Sequence, residues 1–222
     1  MNRIRGGFPY LVGTMLWIAA VGLLGTAVWW LGELGLRSIP RTYSIPSGSS
    51  APTLVPGDYV MASRNHYRDR APQRGELIVF KLPRDNRTDY VKRLVGLPGD
   101  RVQIQGGILH INGAPVEREL LTVRDVTGFS GRTNKTSEYL ETLPNGRRYT
   151  ILEDGDDWPY DNTREYLVPP GHYFLIGDNR DNSEDSRGTV GFVPRANLRD
   201  YPVVIFWSRD LDRIGTAVQP AP

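Results

Sequence analysis

The chain has 222 residues, with 27 basic and 25 acidic side chains, three histidines and no cysteine. The missing cysteine excludes disulfides, thiolate metal sites and a cysteine nucleophile. Arg3 and Arg5 are the only charged residues up to Gly32; the rest of the chain is formally neutral, without the basic run that marks a nucleic-acid surface.

In chain order, the first element is "FPYLVGTMLWIAAVGLLGTAVWWLG", residues 8–32, uncharged throughout. At about 1.5 Å rise per residue it is long enough to cross a hydrocarbon core of about 30 Å. Tyr10 near one end and Trp29 and Trp30 near the other resemble interfacial anchors. A cleaved secretory signal would have a shorter apolar region ending at a small-x-small site; this segment ends in tryptophans. The expectation is therefore a retained transmembrane helix. Residues 1–7 would form a cytoplasmic tail, by the positive-inside tendency of Arg3 and Arg5, and residues 33–222 an extracytoplasmic domain.

Beyond Ser38 the chain lacks long helical periodicity and is punctuated by proline and glycine. Short apolar or alternating runs predict strands at 59–63 (YVMAS), 76–82, 90–97, 101–104, 108–111, 149–152, 172–176 and 201–207 (YPVVIFW). "QGG" between 101–104 and 108–111 predicts a tight hairpin, and "NGAP" a further turn. The fold class expected is mainly β, a partly closed antiparallel sheet, with a core at about 41–120 and 166–208. Residues 122–167 are more polar and predict a hairpin-and-loop excursion. Its acids Glu153, Asp154, Asp156 and Asp157 match no calcium-loop spacing and read as solvated.

Two features bear on chemistry. "IPSGSSAPTL", residues 45–54, offers Ser47, Ser49 and Ser50 in a turn. A serine hydroxyl needs a base to become a nucleophile. His66, His110 and His172 are scattered, with no metal-spaced pair, although a triad needs only one histidine. A neutral lysine also serves, provided that burial lowers its pKa. Lys81 and Lys92 both sit in apolar strand patterns. Alternation puts Tyr90, Lys92 and Leu94 on one face. From pattern alone, an edge lysine facing water is the default for either. "GDNRDNSEDSRGTVGF", residues 177–192, directly follows the strand at 172–176 and supplies hydroxyls and carboxylates at its end.

Together, "YSIPSGSSAPTLVPGD", "RGELIVFKLP" with "DYVKRLVGLPGDRV", and "VPPGHYFLIGDNRDNSEDSRGTVGFVP", in that order behind a membrane span, resemble bacterial type I signal peptidases, membrane serine endopeptidases of the Ser-Lys type. The resemblance implies that Ser49 is the nucleophile and Lys92, not Lys81, the general base. It implies that Ser47 is an oxyanion donor beside the Ser49 backbone N–H. Ser183 would orient the lysine amine, and Asp185 and Arg187 would form a supporting ion pair. Substrate-pocket positions are Tyr43, Ile45, Leu54, Val79, Tyr90 and Val91, which ordinary sheet packing also explains. The implied substrates are signal peptides of exported preproteins, and the implied location is the plasma (inner) membrane. No metal or cofactor is required, and no nucleic acid is involved. Alternatives are a peptidase dedicated to pilin or conjugation substrates and an inactive membrane-anchored homologue. A self-cleaving repressor is disfavoured by the span and the absence of a basic DNA-binding region. Ser50 stands where the family usually has methionine. The expectation is a roomier or wetter pocket wall, less desolvation of Lys92 and an activity optimum at higher pH.

Overall fold

The computed structural model describes Gly22, Thr26 and residues 39–127, 133–155 and 158–219. The expected span at 8–32 lies outside the described residues except for Gly22 and Thr26, both helical. Among the described residues no helix is long and apolar enough to cross a membrane. The chain divides into two units, Met1–Ile39 and Pro40–Pro222, and the strands belong to the second.

The second unit opens with β1 (Arg41–Ser44), β2 (Tyr59–Ser63), β3 (Leu77–Lys81) and β4 (Asp89–Gly96). Next come β5 (Arg101–Gln105), β6 (Ile108–Ile111) and the two-residue β7 (Ala114–Pro115). A long ribbon follows, β8 (Glu117–Thr127) and β9 (Thr133–Thr142), closed by β10 (Arg148–Glu153). The chain returns through β11 (Tyr166–Leu167), β12 (His172–Ile176), β13 (Val193–Pro194) and β14 (Leu198–Trp207). The main sheet is antiparallel and curled, in the order β1-β2-β14-β3-β4-β12-β13; β11-β5-β6-β7 and β10-β9-β8 form two smaller sheets.

The local reasons are plain in the sequence. In β3, Leu77, Ile78, Val79 and Phe80 are all buried, as suits a strand covered on both faces. Gly106 and Gly107 both have positive φ, 55° and 74°. That is the conformation a two-residue hairpin turn needs if its twist is to match the flanking strands.

Burial concentrates in three clusters. Val95, Ile104, Leu109, Ile151 and Phe174 belong to one, and Ile78, Phe80, Leu94 and Leu175 to a second. Ile45, Leu54, Val60, Leu77 and Ile205 build the third. Each such side chain, taken out of water, contributes about 1.5–3 kcal/mol. Because β3 and β4 feed more than one cluster, the strand carrying Lys92 is held from both sides.

The region expected as a polar excursion is more structured than its composition suggested. It contains most of the ribbon, and the base of that ribbon enters the core: Leu143, Tyr149 and Ile151 pack in the first cluster. Further out, Leu120, Leu121 and Val123 are exposed. Glu153 is ion-paired with Arg118 at 2.7 Å, and Asp154 accepts from Thr136 Oγ1. Asp156 and Asp157 lie outside the described residues.

Candidate active site

Ser47, Ser49 and Ser50 lie in the loop between β1 and β2. Its ends are pinned where Ile45 N–H donates to Asp58 O (2.8 Å) and Gly57 N–H to Ile45 O (2.9 Å). The buried Asp58 carboxylate accepts from Val55 N–H and Ser208 Oγ and pairs with Arg213 at 2.7 Å. The segment after β12 holds the other side of the loop. Thr53 Oγ1 donates to Asp178 (2.6 Å), Asn179 N–H to Ser49 O (3.2 Å) and Asn179 Nδ2 to Gly48 O (3.1 Å). This close approach needs a glycine at 177. A Cβ there would lie 2.4 Å from Ser49 O and 2.2 Å from Ser183 Oγ.

Lys92 is carried to the loop by β4. Its Nζ is hydrogen-bonded to Ser49 Oγ, and it lies 5.6 Å from the centre of the Tyr90 ring. The alternation that puts Tyr90 and Lys92 on one face is thus realised. Lys92 is only 3 % exposed. Burial drives its pKa down to about 8, the charged form being poorly solvated; Asp185, Asp178 and Glu184 pull partly the other way. Ser47 Oγ is 3.2 Å from Ser49 Oγ. Among the described residues the Ser49 backbone N–H has no acceptor. A hydroxyl hydrogen-bonded to a shielded amine of lowered pKa, beside two donors with capacity to spare, is an arrangement suited to nucleophilic acyl transfer.

Lys81 is placed differently. It pairs with Asp89 at 2.9 Å and donates to Arg87 O, away from the serines.

Ser183 is buried, and among the described residues its Oγ makes no hydrogen bond with Lys92. It packs over Gly177 and lies beside Asp185, whose carboxyl it helps to hold below its usual pKa. Burial would raise the Asp185 pKa, but Arg187 and the Gly177 N–H outweigh it and hold the carboxylate charged. The Asp185–Arg187 pair closes at 2.8 Å, and Arg187 also donates to Arg180 O.

A cleft of about 440 Å³ opens beside Ser49. Of the six pocket positions expected, Tyr43, Ile45, Val79, Tyr90 and Val91 line it; Leu54 does not. Leu54 is fully buried in the third cluster, because its neighbour Thr53 is tied to Asp178 and the loop turns Leu54 inward. Ser50, where a roomier or wetter wall is expected, lines the cleft. Ser50 is 1 % exposed and its hydroxyl donates to Val91 O at 3.0 Å, so the polar atom is satisfied inside the protein.

Sequence reasoning missed three participants. Glu184 and Asn182 line the cleft. Arg93, next to Lys92, forms a buried pair with Asp178, with Nε–Oδ1 at 3.0 Å, and donates to Thr53 Oγ1 (3.1 Å) and Gly75 O (3.0 Å). Its guanidinium also lies 4.4 Å from the Tyr149 ring centre. The signal was available: an arginine inside the apolar run "YVKRLVGL" requires a buried acceptor. Of the three histidines, His66 stacks on Tyr201, while His110 and His172 contact backbone carbonyls of their own segments. Among the described residues no group of acids and histidines is arranged to hold a metal ion.

Comparison with known proteins bears on what this geometry serves. A signal peptidase I of Rickettsia canadensis (strain McKiel) is 36% identical, over 72% of this chain and 69% of that protein. The signal peptidase I of Rickettsia typhi (strain ATCC VR-144 / Wilmington) is 34% identical over the same shares. A crystal structure of a signal peptidase I from Enterococcus faecalis V583 aligns with 58% of this chain and 94% of its own, at 30% identity and a TM-score of 0.33. The family model described as signal peptidase, peptidase S26, matches residues 17–207, which include every residue of the cleft. By that match and those identities, the chain belongs to the signal peptidase family, peptidase S26.

Proposed function

We propose that this chain is a serine endopeptidase that removes signal peptides from exported preproteins, with Ser49 as nucleophile and Lys92 as general base. The observation that carries the assignment is the hydrogen bond between Ser49 Oγ and an almost fully buried lysine amine. Family membership supports the activity and the substrate class.

The residues act in sequence. Neutral Lys92 accepts the Ser49 hydroxyl proton as Oγ attacks the carbonyl carbon of the scissile peptide bond. The negative oxygen of the tetrahedral intermediate is held by the Ser47 hydroxyl and the Ser49 backbone N–H. Loss of one such donor lowers the rate by about 10²–10³. The lysine ammonium then protonates the leaving amine, and the C–N bond breaks. Lys92 next takes a proton from water, whose oxygen attacks the ester. The proton returns to Ser49, releasing the signal-peptide carboxylate. Asp185 and Arg187 hold the 177–187 segment against the loop. Ser183, buried over Gly177 in the same segment, is the hydroxyl that would orient the lysine amine.

The apolar lining of Tyr43, Ile45, Val79, Tyr90 and Val91 suits small side chains in an extended substrate. Such pockets discriminate by about 1–3 kcal/mol per methylene, so selectivity is graded. Residues 8–32 anchor the protein in the plasma membrane, with 33–222 outside the cytoplasm. The uncharged span and its flanking aromatics support this topology. Protease added to intact spheroplasts digests the domain; full protection would reverse the topology.

The decisive experiment is cleavage of a preprotein bearing an Ala-x-Ala site. Ser49→Ala and Lys92→Ala each lower kcat/KM by about 10⁴ or more. Substantial activity in either variant removes the dyad assignment, and an inactive wild type removes the peptidase reading.

A further inference from the structure

A second groove, distinct from the Ser49 cleft, has a volume of about 540 Å³. Its walls include Asn65, Tyr67 and Arg68 from the turn after β2, and Arg195, Leu198 and Arg199 around the start of β14. Three arginines line it and no carboxylate does. The nearby acids already have partners or are exposed to solvent. Asp200 and Glu76 sit behind the lining: Asp200 accepts from Asn65 N–H (2.8 Å) and pairs with Arg41 at 3.1 Å, and Glu76 accepts from Tyr67 OH (3.2 Å) and lies 3.7 Å from Arg147, both carboxylates being buried. Asp69, next to Arg68 in the chain, is exposed and makes no ion pair among the described residues.

The three guanidinium groups are in unequal states. Arg195 is fixed by donating to Arg70 O (3.2 Å), Tyr67 O (3.4 Å) and Tyr173 OH (3.4 Å). Arg68 and Arg199 have no hydrogen-bond or ion-pair partner among the described residues, and Arg199 Nε is shielded from solvent without an acceptor. Like charges converging on one concavity repel, and a shielded donor with no acceptor is unfavourable. An oxyanion relieves both, because the guanidinium fork matches two oxygens of a phosphate.

We propose that this groove binds a phosphate-type oxyanion, either free phosphate or the phosphodiester of a lipid headgroup. Arg195 supplies the preset donor, and Arg68 and Arg199 close on the anion. The site lies apart from the cleft and does not depend on the peptidase assignment.

The test uses the full chain in neutral detergent micelles and titrates inorganic phosphate against chloride at equal ionic strength. Saturable binding of phosphate is expected, weakened about tenfold or more in an Arg68→Gln/Arg199→Gln variant. The Arg68→Lys/Arg199→Lys variant keeps the charge but loses the fork, and is expected to fall between the two. Because the Arg68 and Arg199 side chains have no hydrogen-bond or ion-pair partner among the described residues and do not line the Ser49 cleft, both variants keep at least the unfolding midpoint of the wild type, and its signal-peptide cleavage rate, when phosphate is absent. Micelles doped with phosphatidylglycerol distinguish the sources: competition with phosphate identifies a lipid headgroup, and phosphate binding without competition identifies the free anion. No saturable phosphate binding, or binding unchanged in the Gln variant, overturns the proposal.

Discussion

Two stretches of this chain that carry several charged side chains come to opposite ends. In residues 177–187, Asp178, Arg180, Ser183, Asp185, Ser186 and Arg187 are all buried. In the outer part of the ribbon, residues 119–125 are exposed. The difference lies in whether each charge has a partner shielded with it from solvent. Asp178 meets Arg93, Arg180 meets Glu141, and Asp185 meets Arg187, each pair almost wholly shielded. On the ribbon, Arg124 pairs with Glu138 and Arg148 with Glu119 at the surface. Exposed pairs contribute about 0–1 kcal/mol. A buried charge that loses its partner costs about 3–5 kcal/mol. Polarity in the first stretch therefore enforces one geometry around Ser49, and in the second it keeps a projecting ribbon soluble.

The comparison is sharpest at Asp178. Asp178→Ala strands the Arg93 guanidinium and frees Thr53, so denaturant unfolding is expected to show a loss of about 3–5 kcal/mol. A loss below about 1 kcal/mol would mean that the buried network is no stronger than the ribbon's surface pairs. Gly177→Ala comes next. Its methyl meets Ser49 O and Ser183 Oγ, so the loop shifts and kcat/KM falls by about 10². Wild-type kinetics would show that the loop yields without moving the nucleophile. On the ribbon, Glu138→Ala changes stability by less than about 0.5 kcal/mol and leaves cleavage unaltered.

The smallest effects concern the pH axis. If Lys92 acts as the proposed general base, cleavage requires its neutral form, and kcat/KM rises with pH and levels off above about pH 8. Glu184 favours the protonated amine, so Glu184→Gln moves this rising limb to lower pH; a move upward would contradict the sign. Ser50→Met is expected to leave the limb in place, since Ser50 is buried and bonded to Val91 O. A displaced limb would show that the serine does hydrate the amine.

Much of the fold was legible. The runs at 59–63, 108–111 and 172–176 are β2, β6 and β12 with identical bounds, because their apolar residues alternate or cluster as half-buried strands require. For β8 and β9 only a hairpin somewhere in 122–167 was legible, not their bounds or length. Their residues are mainly polar, and cross-strand pairing rather than burial holds them. The two-residue β7, β11 and β13 carry no periodic signal at all.

The sequence by itself determined the strand pattern, the serine loop and, through its resemblance, the proposal of Ser49 and Lys92 as the reacting pair. Both side chains lie in local motifs, and the face of Lys92 follows from strand alternation. Only the tertiary structure decided how dry that pair is and what holds it. Ser49 and Lys92 are 43 positions apart, and Arg93 and Asp178 are 85 apart. The shielding that lowers the lysine pKa is a property of the assembled sheet. The same holds for the inward turn of Leu54 and the placement of the Ser183 hydroxyl, which depend on how closely the Gly177 backbone approaches the loop.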